Sequence, residues 1–235
     1  MKIQEYLEST YLKTKEEACL SEHEIKEYLI KFITEAIKCN FKLVMLRSEY
    51  IHVAQELISS YNSNLLIGTV VDFPLGDKST SEKIIELKKI LIYNISDIDF
   101  VCDYNAFKRG EYEKFDNDII SLSRLCIDVN KTVKWIIETG ALSKKEIFNI
   151  SERISSIINN NFSKNISKFF IKTSTGYYGG YGANTHDIKI IKRASKNIQI
   201  KASGGVKNYK DAINMIEFGV TRIGTSNAFH IYKKK

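Results

Sequence analysis

Short runs of β-branched and aromatic residues alternate with longer stretches of helical periodicity along the whole chain. Eight of these runs are predicted strands, at 6–11, 41–46, 65–71, 97–102, 132–138, 168–173, 198–202 and 220–224. The regular alternation of one strand with one helical stretch is typical of a parallel sheet built from βα units. We therefore predict an α/β protein with parallel strands.

Several of the intervening helices are marked at their start by a serine followed three residues later by a glutamate. In this pattern the hydroxyl and the carboxylate satisfy free backbone N–H groups reciprocally. The segments behind these signals place apolar residues three and four positions apart, as a helix packed on a sheet requires. A left-handed Gly219 is expected to end the helix that precedes it. The pairs are Ser21 with Glu24, Ser79 with Glu82, Ser143 with Glu146 and the weaker analogue Asn208 with Asp211.

The number of strands and the length of the chain together indicate a closed barrel. The 235 residues come close to the roughly 250 that are typical of one (β/α)8 barrel. No linker rich in Pro, Gly or Ser divides the chain, and the polar tract 159–168 is expected to be a surface loop. An open doubly wound sheet should carry a GxGxxG turn after its first strand, which is absent here. We predict a single (β/α)8 TIM-barrel domain over residues 1–235.

Composition excludes several classes of function. No apolar run approaches the roughly 18 residues of a membrane span, and the N-terminal segment lacks the apolar core of a signal peptide. We therefore expect a cytoplasmic protein with no membrane partner. The four cysteines form no CxxC pair and the four histidines no HExxH pattern, so neither a disulfide framework nor a metal site is expected. The net charge of +7 fits a solvated surface best, with an anionic substrate or nucleic acid as alternatives.

Two lysines stand at the same depth near the C-terminal ends of the sixth and seventh strands, in KFFIKTSTG and IQIKASGG. Active sites of such barrels lie at this end of the strands. Lys172 alone could equally be a rim residue that reaches water. Lys201 on the neighbouring strand changes the interpretation, because two ammonium groups placed close together repel and one loses its proton near neutral pH. We predict that Lys172 is a neutral nucleophile and that Lys201 keeps it neutral.

A carboxylate is expected beside these lysines. In DIDFVCDYNAF, Asp97, Asp99 and Asp103 alternate at even spacing and share one face if the strand persists. We predict that Asp99 points inward, pairs with Lys201 and relays protons through a water molecule. Asp97 is interpreted as a turn residue that enters the strand, and Asp103 as a rim residue.

Glycine-rich segments, SGGVK and GTSNA, follow the seventh and eighth strands. Barrels commonly hold phosphate at these two positions, because closely approaching backbone N–H groups cradle the anion. Either segment alone could be an ordinary turn, but the two together favour a phosphate site. The predicted phosphate-binding residues are Gly204, Gly205, Lys207, Gly224, Thr225 and Ser226.

Six blocks of sequence between about residue 7 and residue 228 closely resemble the deoxyribose-phosphate aldolase family. They are VVDFPLGDKSTSEK, DIDFVCDYNAFKRGEY, VKWIIETGALSKKE, FFIKTSTG, IKASGGVKNYKDAINMI and TRIGTSNA. The resemblance implies a class I aldolase that reversibly cleaves 2-deoxy-D-ribose 5-phosphate into D-glyceraldehyde 3-phosphate and acetaldehyde. It implies a Schiff base on Lys172, tuning of that amine by Lys201, and a proton relay completed by Asp99. No cofactor or metal is expected, because the protonated imine supplies the polarisation.

The resemblance extends to further substrate-binding positions, where the chain departs in part from the family pattern. From it we expect contacts to substrate or phosphate from Glu8, Thr10, Thr173 and Gly176. The family usually has Asp-His-Thr where this chain has Glu8, Ser9 and Thr10, so the carboxylate is one methylene longer. Cys-Val-Asn-Pro after the second strand is replaced by MLRS at 45–48, and Asn227 stands where a serine is common.

These departures leave a second hypothesis open: a catalytically impaired aldolase-like barrel that binds a sugar phosphate or a protein. A third hypothesis, a nucleic-acid binder, is motivated only by the net charge and lacks basic and aromatic residues interleaved on one element. Retention of Lys172, Lys201 and Asp99 favours the active enzyme. The expected partners are a small phosphorylated sugar and a second copy of the chain in a homodimer, and no nucleic acid.

Overall fold

A computed structural model describes residues 1–234 and shows eight parallel strands closed into a barrel. The strands are β1 (Leu7–Tyr11), β2 (Leu43–Leu46), β3 (Leu66–Val71), β4 (Asp97–Val101), β5 (Thr132–Ile136), β6 (Phe169–Lys172), β7 (Gln199–Ser203) and β8 (Arg222–Thr225). Each strand pairs with the next in chain order, and β8 closes the barrel on β1. The predicted (β/α)8 fold is confirmed, and the predicted strand ends differ from the observed ones by at most two residues.

Helices follow every strand and cover the outside of the barrel. They are α1 (Lys15–Ala18), α2 (Glu22–Lys38), α3 (Ile51–Ser60), α4 (Thr80–Ile90), α5 (Tyr104–Lys108), α6 (Tyr112–Asp128), α7 (Lys144–Phe162), α8 (Thr185–Ser195), α9 (Tyr209–Glu217) and α10 (Ala228–Lys233). Short 3₁₀ helices lie at Ile3–Glu5, Ser48–Tyr50, Thr139–Ala141 and Ser163–Lys168. Between residues 1 and 234, no helix combines the length and the hydrophobicity needed to traverse a lipid bilayer.

The predicted helix ends are formed by the expected hydrogen bonds. All three serine–glutamate pairs form reciprocal caps at the starts of α2, α4 and α7, and Asn208 caps α9 through the N–H of Asp211. Gly219 follows α9 with φ 98°, in the left-handed region. The surface loop predicted at 159–168 is wrong: α7 continues to Phe162, and a 3₁₀ helix follows. Phe162 packs in the core one turn beyond Ile158, and this burial extends the helix through the asparagines.

The core lies mainly between the barrel and its helices. Outward-facing strand residues such as Trp135 are fully buried there, and its indole N–H donates to Ser123 Oγ on α6. Inside the barrel, the apolar side chains gather on the side of β1 to β3, in a small cluster of Leu12, Leu43, Met45 and Val70. The remaining interior holds mainly charged side chains, with the ring of Phe170 on β6 beside Lys134 and Arg222, so the barrel is asymmetric in polarity.

Candidate active site

Three lysines and three carboxylates are buried together inside the barrel, and we call them the interior cluster. Lys134 Nζ on β5 lies 3.4 Å from Glu8 Oε1 on β1. Because β1 and β5 face each other in a ring of eight strands, this contact crosses the barrel interior. The members of the interior cluster are Glu8, Asp97, Asp99, Lys134, Lys172 and Lys201, each at most 2% exposed.

Lys172 and Lys201 donate to the same carboxylate oxygen. The two residues are register partners on β6 and β7, and their Nζ atoms lie 2.8 and 2.7 Å from Asp99 Oδ2. Burial lowers the pKa of Lys172 to about 8; the negative charge of Asp99 opposes this shift, and the positive charge of Lys201 adds to it. The structure thus brings the two lysines together as predicted, with burial as the larger cause of the lowered pKa.

Asp99 lies where the sequence predicted it, pointing inward beside Lys201. Burial opposes ionisation of its carboxyl, but Lys134, Lys172 and Lys201 hold its pKa well below the ordinary value. The carboxylate therefore stays ionised at neutral pH. Asp103 lies beyond the end of β4, where its carboxylate accepts from the N–H of Ala106 at the start of α5.

Lys134 is a member of the interior cluster that the sequence analysis missed. Its Nζ lies 2.7 Å from Asp97 Oδ2 and 3.2 Å from Asp99 Oδ1. The interpretation of Asp97 as a turn residue is wrong, because it begins β4 and shares the inward face of Asp99 through the two-residue period. A signal was present: a lysine stands between Val133 and Trp135 in an apolar strand, and inward carboxylates need cations.

A count of charges explains why the pKa of Lys172 is lowered. Arg222 adds a further cation, with Nη1 3.8 Å from Glu8 Oε1. Lys134, Lys201 and Arg222 balance the three carboxylates of the interior cluster. A charged Lys172 would therefore be an excess cation in a space with little access to water, which is unfavourable. The neutral form of Lys172 is the form that can attack a carbonyl carbon.

Replacement of Lys134 by methionine is expected to destabilise the fold by about 3–5 kcal/mol, because Asp97 would stay buried without its nearest cation. Urea unfolding at pH 7, followed by circular dichroism, measures the change. The double variant Lys134→Met with Asp97→Asn should recover part of the loss, since the unpaired charge is gone. Lys145→Met, at an exposed lysine, is the matched control. A loss below about 1 kcal/mol for the single variant would contradict the assignment of this pair.

A cavity of about 760 Å³ opens at the C-terminal ends of β1, β6, β7 and β8. Gly176, Gly204 and Gly205 have φ of 87°, 79° and 74°, in the left-handed region that favours glycine. A Cβ at Gly182 would collide with the carbonyl of Gly204, so the loops after β6 and β7 approach closely only because both residues are glycine. Most predicted binding residues line this cavity: Thr10, Gly176, Gly204, Gly205, Lys207, Gly224, Thr225 and Ser226.

Two other predicted binding residues are engaged in contacts within the protein. Glu8 forms an ion pair with Lys201 and belongs to the interior cluster. The hydroxyl of Thr173 donates to the carbonyl of Ser203 at 3.1 Å and accepts from the N–H of Ser203 at 3.0 Å. This pair of bonds fastens the end of β6 to the end of β7. A substrate contact from Glu8 or Thr173 stays a prediction.

Of the departures at 45–48, Met45 lies in the apolar cluster inside the barrel, and Arg47 lies at the mouth. Arg47 Nε donates to the carbonyl of Leu12 at 2.6 Å, and the hydroxyl of Tyr177 donates to the same carbonyl at 3.1 Å. The Tyr177 ring packs edge-on against Phe73, with centroids 5.1 Å apart. Arg47 also lies over the Phe73 ring, 5.6 Å from its centroid. These side chains connect four parts of the mouth.

Glu138 is a further buried carboxylate near the interior cluster. The sequence did not single it out. It lies two residues after the end of β5, is 1% exposed, and accepts a hydrogen bond from the N–H of Thr175 at 3.0 Å. Burial raises the pKa of Glu138, while bonds from Thr175 and the charge of Lys172 oppose the shift. Its only sequence signal is a charged residue at the end of a barrel strand.

Comparisons with known proteins give several relatives over most of the chain. The chain is 38% identical over 202 residues to deoxyribose-phosphate aldolase of Metamycoplasma arthritidis, covering 86% of this chain and 87% of the relative. It is 35% identical over 229 residues to deoxyribose-phosphate aldolase of Mycoplasmopsis pulmonis, covering 97% and 94%. None of the protein-family models compared with the chain matches it.

Solved structures of aldolases superpose on this chain over most of its length. The aldolase QR15 superposes with a TM-score of 0.82 at 28% identity, over 98% of this chain and 94% of that one. Deoxyribose phosphate aldolase from Aeropyrum pernix, at 20% identity, shares the fold with a TM-score of 0.80, over 98% and 89% of the two chains. The identities of 38% and 35% over nearly full length decide the classification. The chain belongs to the deoxyribose-phosphate aldolase family.

Proposed function

We propose that the protein is a class I aldolase that reversibly cleaves 2-deoxy-D-ribose 5-phosphate into D-glyceraldehyde 3-phosphate and acetaldehyde. The observation that carries the proposal is Lys172, a buried amine with a pKa lowered to about 8 beside a second amine on one carboxylate. With a pKa of about 8, a much larger fraction of this amine is neutral near pH 7 than of an ordinary lysine, and the neutral form is the nucleophile. Family membership supports the choice of substrate.

In the proposed reaction, Lys172 Nζ attacks the C1 aldehyde carbon of the open-chain sugar, and loss of water gives a protonated Schiff base. The products have two and three carbons, so the bond that breaks is C2–C3. The C3 hydroxyl gives up its proton, and the electrons of C2–C3 pass into the iminium. D-glyceraldehyde 3-phosphate leaves, and an enamine remains on Lys172. Protonation of C2 and hydrolysis of the Schiff base then release acetaldehyde and the free amine.

Asp99 and Lys201 are the groups to which we assign the proton transfers. The ionised Asp99 can accept a proton through a water molecule, and Lys201, bonded to it, can return one. The phosphate group would lie in the cavity at the ends of β7 and β8. Backbone N–H groups of Gly204 and Gly205 and the ammonium of Lys207 would provide its contacts.

Trapping of the Schiff base tests this proposal directly. Incubation with acetaldehyde or 2-deoxy-D-ribose 5-phosphate, followed by sodium borohydride, should leave a reduced adduct on the peptide that contains Lys172. Mass spectrometry of the digested protein locates it. The same preparation should release acetaldehyde from the sugar phosphate in an assay coupled to alcohol dehydrogenase. Failure of both measurements would favour a barrel that binds a sugar phosphate without catalysis.

Lys207→Ala is expected to raise KM for 2-deoxy-D-ribose 5-phosphate by roughly tenfold, because an ammonium contact to the phosphate is lost. We expect a smaller change in kcat, since the phosphate is remote from the bond that breaks. Initial rates over a range of substrate concentrations give both constants. Lys210→Ala, at an exposed lysine on α9, is the matched control. Equal KM values for the two variants would contradict a phosphate contact by Lys207.

We further propose that the chain forms one domain, works in the cytoplasm and associates as a homodimer, with no nucleic-acid partner. Closure of all eight strands into one barrel supports a single domain. Size-exclusion chromatography with light scattering measures the mass in solution. A mass of one chain at micromolar concentration would contradict the homodimer.

A further inference from the structure

Glu138 is a buried carboxylate that the proposed mechanism does not use. Its backbone has φ 53° and ψ 71°, in the left-handed region that residues other than glycine rarely adopt. One carboxylate oxygen, Oε1, is buried without a hydrogen-bond partner among the described residues. An unusual backbone conformation and an unpaired buried oxygen both reduce stability. Because both features of Glu138 reduce the stability of the barrel, a role in the site explains its presence better than a role in stability does.

The other oxygen of Glu138 holds the loop after β6. Both donors of Thr175, its N–H at 3.0 Å and its hydroxyl, bond to Glu138 Oε2. The hydroxyl oxygen of Thr175 accepts in turn from the N–H of Tyr177 at 3.1 Å. Thr139 extends the same contact, because its N–H donates to the carbonyl of Thr173 at 2.9 Å. The turn after β5 therefore fixes the course of the loop after β6.

This loop connects the two functional parts of the site. It begins immediately after Lys172 and continues to α8, and Thr175 and Gly176, near its start, line the cavity in which we place the phosphate. Opposite Gly176, an added Cβ on Gly204 would lie 3.4 Å from the Gly176 Cα, so the two walls leave little space for adjustment. Displacement of Thr175 would therefore change the spacing between Lys172 and this wall.

We propose that Glu138 is a positioning residue that holds the Thr175–Gly176 wall at the distance from Lys172 that a phosphorylated sugar requires. Glu138 acts through Thr175 and does not contact the substrate. The inference rests on the proposed function, because it takes the cavity as the phosphate site. It adds Glu138 to that site. Neither the lysine pair nor the glycine-rich loops explain the presence of this residue.

Thermal unfolding in the presence of inorganic phosphate tests the inference without any need for catalysis. Phosphate should raise the Tm of the unaltered protein, because binding to the folded state stabilises it. Glu138→Ala should require roughly tenfold more phosphate for the same shift, since the Thr175 donors lose their acceptor. Glu138→Gln keeps an amide oxygen that can accept from Thr175, and it should restore most of the response. Absence of a phosphate shift in the unaltered protein would overturn the inference.

Kinetics with and without the phosphate group separate positioning from general support of the fold. We expect Glu138→Ala to lower kcat/KM for 2-deoxy-D-ribose 5-phosphate roughly tenfold more than kcat/KM for 2-deoxy-D-ribose. An equal loss with both substrates would overturn the inference.

If Glu138→Ala does not fold, Thr175→Val and Thr175→Ser form a matched pair. The valine removes the hydroxyl donor and should lose more phosphate response than the serine; equal responses would overturn the inference.

The outcomes distinguish this inference from the proposed function. A protein whose response to phosphate depends on Glu138, but which forms no adduct and cleaves no sugar, would contradict the aldolase activity and leave the positioning role intact. A protein that cleaves the sugar, and whose Glu138→Ala variant responds to phosphate as the unaltered protein does, would contradict the positioning role alone.

Discussion

Lys172→Ala is expected to lose turnover of 2-deoxy-D-ribose 5-phosphate by a factor on the order of 10⁴ or more, and to form no borohydride-stable adduct. The reason is that alanine removes the only atom of this residue that can bond covalently to the substrate. Each of the other two amines of the interior cluster pairs with at least two carboxylates: Lys201 with Asp99 and Glu8, and Lys134 with Asp97, Asp99 and Glu8. Acetaldehyde release and mass spectrometry of the trapped protein measure the two effects.

A matched control for this variant is Lys164→Ala, which removes an exposed lysine from the segment before β6. It should retain both adduct formation and turnover. Circular dichroism of the Lys172→Ala variant should show an intact barrel, because a small apolar side chain replaces a buried amine. An adduct that persists on another lysine would assign the nucleophile to that residue and contradict the proposed mechanism.

The fold was predictable from the sequence because each of its units carries local signals. The serine–glutamate pair at Ser143 and Glu146 spans four residues and is enough to mark the start of α7. The end of this helix was not predictable in the same way. Three asparagines suggest a loop, whereas burial of Phe162 against the barrel continues the helix, and that burial exists only in the folded protein.

The site also combines features that local sequence signals identify with contacts that exist only in the folded protein. Lys172 and Lys201 could be identified because they stand at the same depth on neighbouring strands, and Asp99 because a two-residue period places it on one face of β4. Lys134 is the register partner of Asp99 and could have been found in the same way, whereas its contact with Glu8, on the opposite side of the barrel and far away in sequence, could not. The balance of charges that favours a neutral Lys172 is likewise a property of six strands together.

Lys201→Leu is expected to retain the barrel and to slow the reaction at pH 7 by roughly 10²-fold to 10³-fold. Lys134 and Arg222 remain as cations for the carboxylates of the interior cluster, so the fold should persist with reduced stability. The reaction slows because the variant lacks one member of the proton relay. It slows further because the positive charge that lowers the pKa of Lys172 is gone.

The pH dependence of the rate separates these two causes. In the unaltered protein, the neutral fraction of Lys172 increases as pH rises through about 8, so the rate of Schiff-base formation should rise there and then level off. Without Lys201, the negative charges of Asp99 and Glu8 act more strongly on Lys172 and raise its pKa. The rising limb of the variant should therefore lie at higher pH, in rates measured from pH 6 to 10. A limb at the same pH with a lower plateau would show that burial alone sets the pKa of Lys172, and that Lys201 serves only to transfer protons.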